Sequence, residues 1–438
     1  MISLDRRASR QHSGSMRFFH LSDLHLGKTL KGYDLLEDQA YVLDQVVAKL
    51  AELAPETLLI AGDIYDRAIP PVEAIRLFDA FLGKARAAVP GLRILVIPGN
   101  HDSAGRISFG ASMLADSGLC IAARAEGKPA FVVESGGERA AVWALPFLTQ
   151  ASAPWEELAS AGAEGEAGGS VGADGGEGAA GGAAPGRDAS GATIRTQQEL
   201  MRLATASIRK AMEPGTLNIL VAHCFAAGGV VGDSELAYVG AAEQVDAALF
   251  EGFDYTALGH LHSIQSSSPR VWYSGAPLAY SVKDGEGERG FLSVELRVGE
   301  APRMETIPLL PLHRVRRISG FFDDLVANPL PEAERGDYIE VRVLDEEPVM
   351  NAGERLKALY PRLLGVPQRA YELRFGEDGG LADDAPWRAR DGLEAPDRLE
   401  TAREDFFAFH REMTGEPPSE AMAALFDSMA GEASDAAD

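Results

Sequence analysis

Aspartate, asparagine and histidine recur in five short blocks of this chain: Asp23-Leu24-His25, Gly62-Asp63-Ile64-Tyr65-Asp66, Gly99-Asn100-His101-Asp102, Ala222-His223 and Gly259-His260-Leu261-His262. Five of the nine histidines fall inside them. Carboxylate and carboxamide oxygens mixed with imidazole nitrogens suit divalent first-row ions such as Mn²⁺. Two such ions about 3.5–4 Å apart activate a water and neutralise the charge that grows on a phosphoryl group. The chemistry indicated is two-metal hydrolysis of a phosphoester.

Most blocks directly follow an apolar run, such as Leu58-Leu59-Ile60 or Ile94-Leu95-Val96-Ile97. That puts the polar groups where buried strands end, the usual place for a site in an α/β sheet. Strands are expected over 17–22, 57–61 and 92–97. The intervening helices run over 35–53, with Tyr41, Val42, Val46, Val47 and Leu50 at helical spacing, and from Pro70-Pro71 to Val89, carrying Ile75, Leu77, Phe78 and Phe81. Such alternation implies parallel strands covered by helices. Further strands are expected over 130–134, 140–145, 217–222 and 254–258, with a helix over 196–212. Segments 272–274, 290–296 and 303–308 read as closing strands of a second sheet.

The expected organisation is a disordered leader over 1–15 and a two-sheet α/β sandwich flanked by helices over 16–312. Residues 159–192, almost entirely Gly, Ala, Ser and acids, interrupt it as a flexible insertion. A small α+β capping domain over 313–375 follows, with a strand over 338–344 and a helix over 353–364. An acidic linker over 376–397 leads to a C-terminal helical pair over 398–430, then a disordered tail over 431–438. Two short amphipathic helices cannot build a core of their own, so they read as a docking segment for a partner.

The blocks differ in what each says alone. Asp-x-His is equally at home in a solvated loop, and His223 by itself also reads as a satisfied strand-end histidine. Asp66 reads as a loop-capping carboxylate rather than a ligand. Cys224 is set aside because the other donors are hard O and N atoms. Gly-Asn-His-Asp and Gly-His-x-His after apolar strands carry the most weight.

In this order, the blocks resemble the calcineurin-like metallophosphoesterase superfamily. Within it, Gly99-Asn100-His101-Asp102-Ser103 with Arg106 and Phe109, and the stretch Phe409-His410-Arg411-Glu412-Met413-Thr414-Gly415-Glu416, are similar to the SbcD-type subunits of bacterial SbcCD nucleases. The resemblance implies a first metal held by Asp23, His25, Asp63 and His262. A second would be held by Asp63, Asn100, His223 and His260, with Asp63 bridging. His101 would face the scissile phosphate as the catalytic group, oriented by Asp102. It further implies two ions, Mn²⁺ or else Mg²⁺, and an SbcC-like coiled-coil ATPase as partner. The expected substrates are double-stranded DNA ends and hairpins, and the expected assembly is a homodimer within a heterotetramer.

The net charge of −25 lowers the expectation of stand-alone DNA binding. Most of it is peripheral: residues 376–438 carry −12 and residues 151–192 carry −6. Lys28, Lys31, Tyr33, Arg67 and Arg106 flank the blocks as possible guides for a phosphate backbone. Gly27-Lys28-Thr29 echoes a phosphate-binding loop, but Ser22 stands where the leading glycine belongs, so ATP falls to another chain. Two cysteines exclude a disulfide framework and suit the cytoplasm. The first 15 residues lack the apolar stretch of a secretory signal, and no run is long enough to span a bilayer. A small-phosphoester phosphatase or cyclic-nucleotide phosphodiesterase is the alternative, and a non-catalytic scaffold a third reading. The C-terminal extension favours the nuclease.

Overall fold

The computed structural model describes residues 15–149, 151–155, 196–230 and 244–371, with Ser419 and Met422. Strand β1 (Met16–Leu21) is followed by a ribbon of β2 (Thr29–Leu30) and β3 (Tyr33–Asp34). Helix α1 (Leu36–Leu53), strand β4 (Thr57–Ala61), helix α2 (Val72–Ala88) and strand β5 (Arg93–Ile97) then alternate. Helix α1 buries Val42, Leu43, Val46 and Leu50, one stripe of a 3.6-residue period. It ends where Ala54 turns left-handed, at φ 42, and returns its N–H to the Leu50 carbonyl. Helix α2 starts after Pro71, whose φ of −64 suits the entry to a helix. Tyr41 and Ile75, expected on the inner stripes, face solvent.

Two one-turn helices, α3 (Ala104–Ile107) and α4 (Ala111–Leu114), precede β6 (Leu119–Ile121). Strands β7 (Phe131–Ser135) and β8 (Glu138–Leu145) form a hairpin. Helix α5 (Gln197–Ala211) opens with a capping box between Thr196 and Glu199. After it come β9 (Leu217–His223), a ribbon of β10 (Phe225–Ala226) with β11 (Gln244–Val245), β12 (Tyr255–Gly259), β13 (Gln265–Ser268) and β14 (Val271–Tyr273). Strands β15 (Gly290–Leu296) and β16 (Arg303–Pro308) complete the layers.

The first sheet has the order β16-β15-β1-β4-β5-β6, the second β13-β14-β12-β9-β8-β7. Strands β1, β4, β5 and β6 run parallel, as do β8, β9, β12 and β14. Side chains alternate across the strands: Leu58 and Ile60 of β4 face helices α1 and α2, whereas Leu59 and Ala61 join the core between the sheets. Met16, Phe18 and Leu95 meet Val142, Ile219, Val221 and Ala257 there. Helix α5 covers the far face of the second sheet with Met201, Ala204 and Ile208. The expected two-sheet sandwich is therefore present. One assignment is corrected: β15 and β16 close the first sheet, β15 pairing antiparallel with β1 from Met16↔Leu296 to His20↔Leu292.

Next come β17 (Val315–Gly320), helix α6 (Phe322–Ala327), β18 (Tyr338–Val343), helix α7 (Ala352–Lys357) and β19 (Leu363–Gly365), the three strands forming one parallel sheet. Ile339, Val341, Val343 and Leu356 make its small core. The helix expected over 353–364 is shorter than its apolar spacing suggested, because Pro361 cannot continue it and the chain turns into β19. The described residues through Asp345, with Val349–Gln368, form one compact unit; among the described residues, Glu346–Pro348 and those from Arg369 onward are grouped as another. Asp38 of α1 accepts from His313 Nδ1 at 3.1 Å and from the Tyr338 hydroxyl at 3.0 Å, tying the small sheet to the sandwich. The linker over 376–397 lies outside the described residues, as does the docking segment over 398–430 apart from Ser419 and Met422. Among the described residues no helix is long and apolar enough to cross a membrane.

Candidate metal centre

All five polar blocks sit at the carboxyl ends of parallel strands, three from the first sheet and two from the second. Strand β1 delivers Asp23 and His25, β4 delivers Asp63, and β5 delivers Asn100 and His101. Strand β9 ends in His223, and β12 leads into His260 and His262. Four of these residues hold left-handed backbone: Asp23 at φ 54, His25 at φ 41, Asp63 at φ 50 and His260 at φ 110. Such conformations cost side-chain-bearing residues about 1–3 kcal/mol each and persist where surrounding structure enforces them. Here neighbouring blocks enforce each other. Asp23 N–H donates to the Gly62 carbonyl at 3.0 Å and His25 N–H to the Asp63 carbonyl at 3.0 Å.

The side chains converge on Asp63. Its Oδ2 lies 3.6 Å from His25 Nε2 and 3.5 Å from His223 Nε2, so one carboxylate oxygen sits between the two halves of the cluster. On one side, His25 Nε2 is 3.1 Å from His262 Nε2, and Asp23, His25 and His262 form one potential cation group. On the other, Asn100 Oδ1 is 2.9 Å from His223 Nε2 and 3.1 Å from His260 Nδ1. Asp23, Asp63 and His223 form a second group. A third, His25, Asp66 and His101, is already engaged, because Asp66 Oδ1 accepts Lys28 Nζ at 2.7 Å. The eight residues singled out in the sequence all gather here.

The hydrogen bonds around His223 leave room for a cation. His223 Nδ1 lies 2.9 Å from the Ala61 carbonyl, which can only accept, so Nδ1 carries the proton. Its Nε2 lone pair then faces two oxygens, of Asn100 and Asp63, unless a positive charge intervenes. Without a metal that charge is a second proton: burial opposes it, but Asp63 and Asp23 raise the His223 pKa to about 9. Burial likewise works against the Asp63 carboxylate, yet His223 and His25 hold its pKa well below the usual range. Burial lifts Asp23 to about 8, and it drops His260 and His262 to about 3. Among the described residues, His25 Nδ1 and His260 Nε2 are buried nitrogens without hydrogen-bond partners. The neutral imidazoles of His25, His260 and His262, with His223 charged for want of a cation, surround buried carboxylates in the donor set of first-row divalent cations.

His101 lies at the edge of the site, beside His25 and outside the two groups that include Asp23. Its Nδ1 faces the Asp66 carbonyl at 2.9 Å and therefore bears hydrogen, while Nε2 lies 4.0 Å from Asp63 Oδ2. The Asp66 backbone does the orienting expected of Asp102. The Asp102 carboxylate instead accepts backbone N–H groups of Gly99, Ile64 and Tyr65 at 2.9, 3.0 and 2.9 Å, locking two blocks together. No sequence signal marks that clamp. Arg289 was also missed; its Nη1 donates to the His262 carbonyl at 2.5 Å.

Other candidates resolve individually. Cys224 packs in the outer core beneath α5, and burial pushes its thiol up to about 12. His20 is buried inside β1, its nitrogens 3.1 Å from the Tyr255 hydroxyl and the Leu258 carbonyl. Tyr33 donates to the Pro361 carbonyl at 3.0 Å, which makes it a strut to the small sheet. Lys31 and Arg67 are exposed on loops beside the site, and Arg106 is exposed on the one-turn helix α3. His12 and His410 lie outside the described residues.

Residues 16–160 match the family model of calcineurin-like phosphoesterases. Residues 311–395 match the SbcD C-terminal model, described as the type 5 capsule protein repressor C-terminal domain. Among solved structures, the chain is similar to a dimetal phosphatase from Danio rerio at 13% identity and a TM-score of 0.36, with 67% of this chain and 99% of that chain covered.

Proposed function

The chain belongs to the SbcD-like calcineurin-type phosphoesterases, which are two-metal hydrolases, and from that premise we propose that it is a DNA nuclease subunit. It acts with an SbcC-like coiled-coil ATPase on double-stranded ends, as an exonuclease, and on single strands and hairpins, as an endonuclease. The work belongs to recombination, repair and replication in the cytoplasm. One observation carries this reading: a phosphoesterase site and an SbcD-type C-terminal domain occupy one chain.

Asp23, His25, Asp63 and His262 would hold one ion, and Asp63, Asn100, His223 and His260 the other. Bound there, such ions, Mn²⁺ by preference, would supply acidification of a water and neutralisation of charge on the phosphoryl oxygens. The protein contributes rigidity. Backbone bonds between blocks and the Asp102 clamp fix the donors before any ion arrives. His101, with Nδ1–H pinned by Asp66, presents Nε2 to the scissile phosphate and, when protonated there, gives its proton to the leaving oxygen.

Copies of the chain pair as a homodimer. The helical turns after the third block support this reading, because Phe109 and Met113 are 88% and 85% exposed. Residues 398–430 dock the ATPase. Removing them is expected to abolish co-purification with the ATPase while Mn²⁺-dependent hydrolysis of bis(p-nitrophenyl) phosphate persists; undiminished co-purification overturns the docking role.

A further inference from the structure

Beside Asn100 a cavity of about 430 Å³ opens toward solvent, and of the proposed metal ligands Asn100 alone lines it. Its lining includes Pro98, Asn100, Ser108, Arg124, Phe147 and Thr149. Phe147 is held against the third block, its N–H donating to the Pro98 carbonyl at 3.0 Å. The same ring meets that of His223 edge-on, with centroids 6.3 Å apart and planes at 73°. Arg124 is exposed at the rim, and among the described residues its guanidinium has no hydrogen-bond or ion-pair partner. The Asp102 carboxylate also borders the space, but three backbone N–H groups occupy it.

An aromatic face, a free guanidinium and hydroxyls around a small cavity match the parts of one nucleotide: base, phosphate and sugar. A phosphodiester held at the metal centre must send a flanking nucleoside somewhere close by, and this cavity adjoins the cluster through Asn100. Its volume of about 430 Å³ is on the scale of one nucleotide. A simple phosphate monoester would leave it unfilled.

We propose that this cavity is a subsite for a single unpaired nucleotide next to the scissile phosphate, with Phe147 stacking on its base and Arg124 gripping the adjoining phosphate. The proposal rests on the nuclease reading above. It makes Phe147 and Arg124 positioning residues: the flanking nucleotide, once seated, fixes the scissile group relative to the cluster. It also means that the nucleotide beside the cut leaves its pair before cleavage, which favours hairpin loops and opened ends over intact duplex.

The test compares kcat/KM for a hairpin DNA with kcat/KM for bis(p-nitrophenyl) phosphate, using the full chain with Mn²⁺. Arg124→Ala and Phe147→Leu should each lower the DNA-to-small-ester ratio about tenfold or more, and Arg124→Lys should recover part of it. On hairpins carrying an abasic residue on one side of the scissile phosphate, the Phe147→Leu penalty should vanish for the side that enters the cavity. A ratio unmoved by both substitutions, or a Phe147→Leu penalty that survives abasic replacement on either side, overturns the subsite. Wild-type protein that hydrolyses the small ester but never DNA overturns the nuclease reading, and the subsite with it.

Discussion

A Cβ placed on Gly99 would lie 2.1 Å from Asp63 Oδ1 and 2.4 Å from the Asp63 backbone nitrogen. The third block thus passes directly against the carboxylate that stands between His25 and His223. No side chain fits at that point without displacing one block. Gly99→Ala is expected to weaken Mn²⁺ binding roughly 10- to 100-fold, the scale seen when support for metal ligands is disturbed. Gly105→Ala is the control, since a Cβ there meets nothing within 4 Å. Isothermal titration calorimetry decides; wild-type affinity in Gly99→Ala would contradict the close-contact account.

His101 separates catalysis from metal binding. With Nδ1 tied to the Asp66 carbonyl and Nε2 4.0 Å from Asp63, it lies beside the cluster without completing either ligand set. His101→Asn should lower DNA cleavage about 10²- to 10⁴-fold. Metal analysis of the same sample should find the wild-type Mn²⁺ content. Loss of metal in step with activity would make His101 a ligand.

Much of this site was legible because ligand chemistry is written in residue types, and apolar runs before the blocks place them at strand ends. The strands themselves were legible for the same reason, but their partners were not. Alternation in 290–296 marks a strand with one apolar face; it does not say that β15 lies beside β1 rather than in the second sheet. Strand β17 was overlooked because Arg316 and Arg317 disguise it. Their ion pairs to Glu334, Asp337 and Glu340 are long-range facts invisible in a local window. The role of Asp102 escaped for a related reason, since it acts on backbone N–H groups that carry no side-chain signature.

Acid sensitivity should trace partly to His20. Burial lowers its pKa to about 3 in the folded chain, against an unfolded value of 6.5. The folded state therefore keeps it neutral while the unfolded state takes up a proton. Its stabilising contribution is complete above pH 6.5 and is lost as pH falls toward 3. The difference in unfolding free energy between wild type and His20→Gln should shrink by up to about 1.4 kcal/mol per pH unit across that window. Denaturant titrations with EDTA present at pH 7, 6 and 5 measure it, and a constant difference would refute the assignment.

The proposed mechanism has two ions, sharing Asp63, drive DNA cleavage. Its most direct measurement is hairpin cleavage by the metal-stripped chain, with its ATPase partner and ATP, as Mn²⁺ is added in known equivalents. Cleavage should stay near background at one ion per chain, reach its plateau at two, and be absent at all ratios in Asp63→Ala, which should bind neither ion tightly. Full activity at one equivalent, or no cleavage of DNA once both sites are filled, would contradict the account.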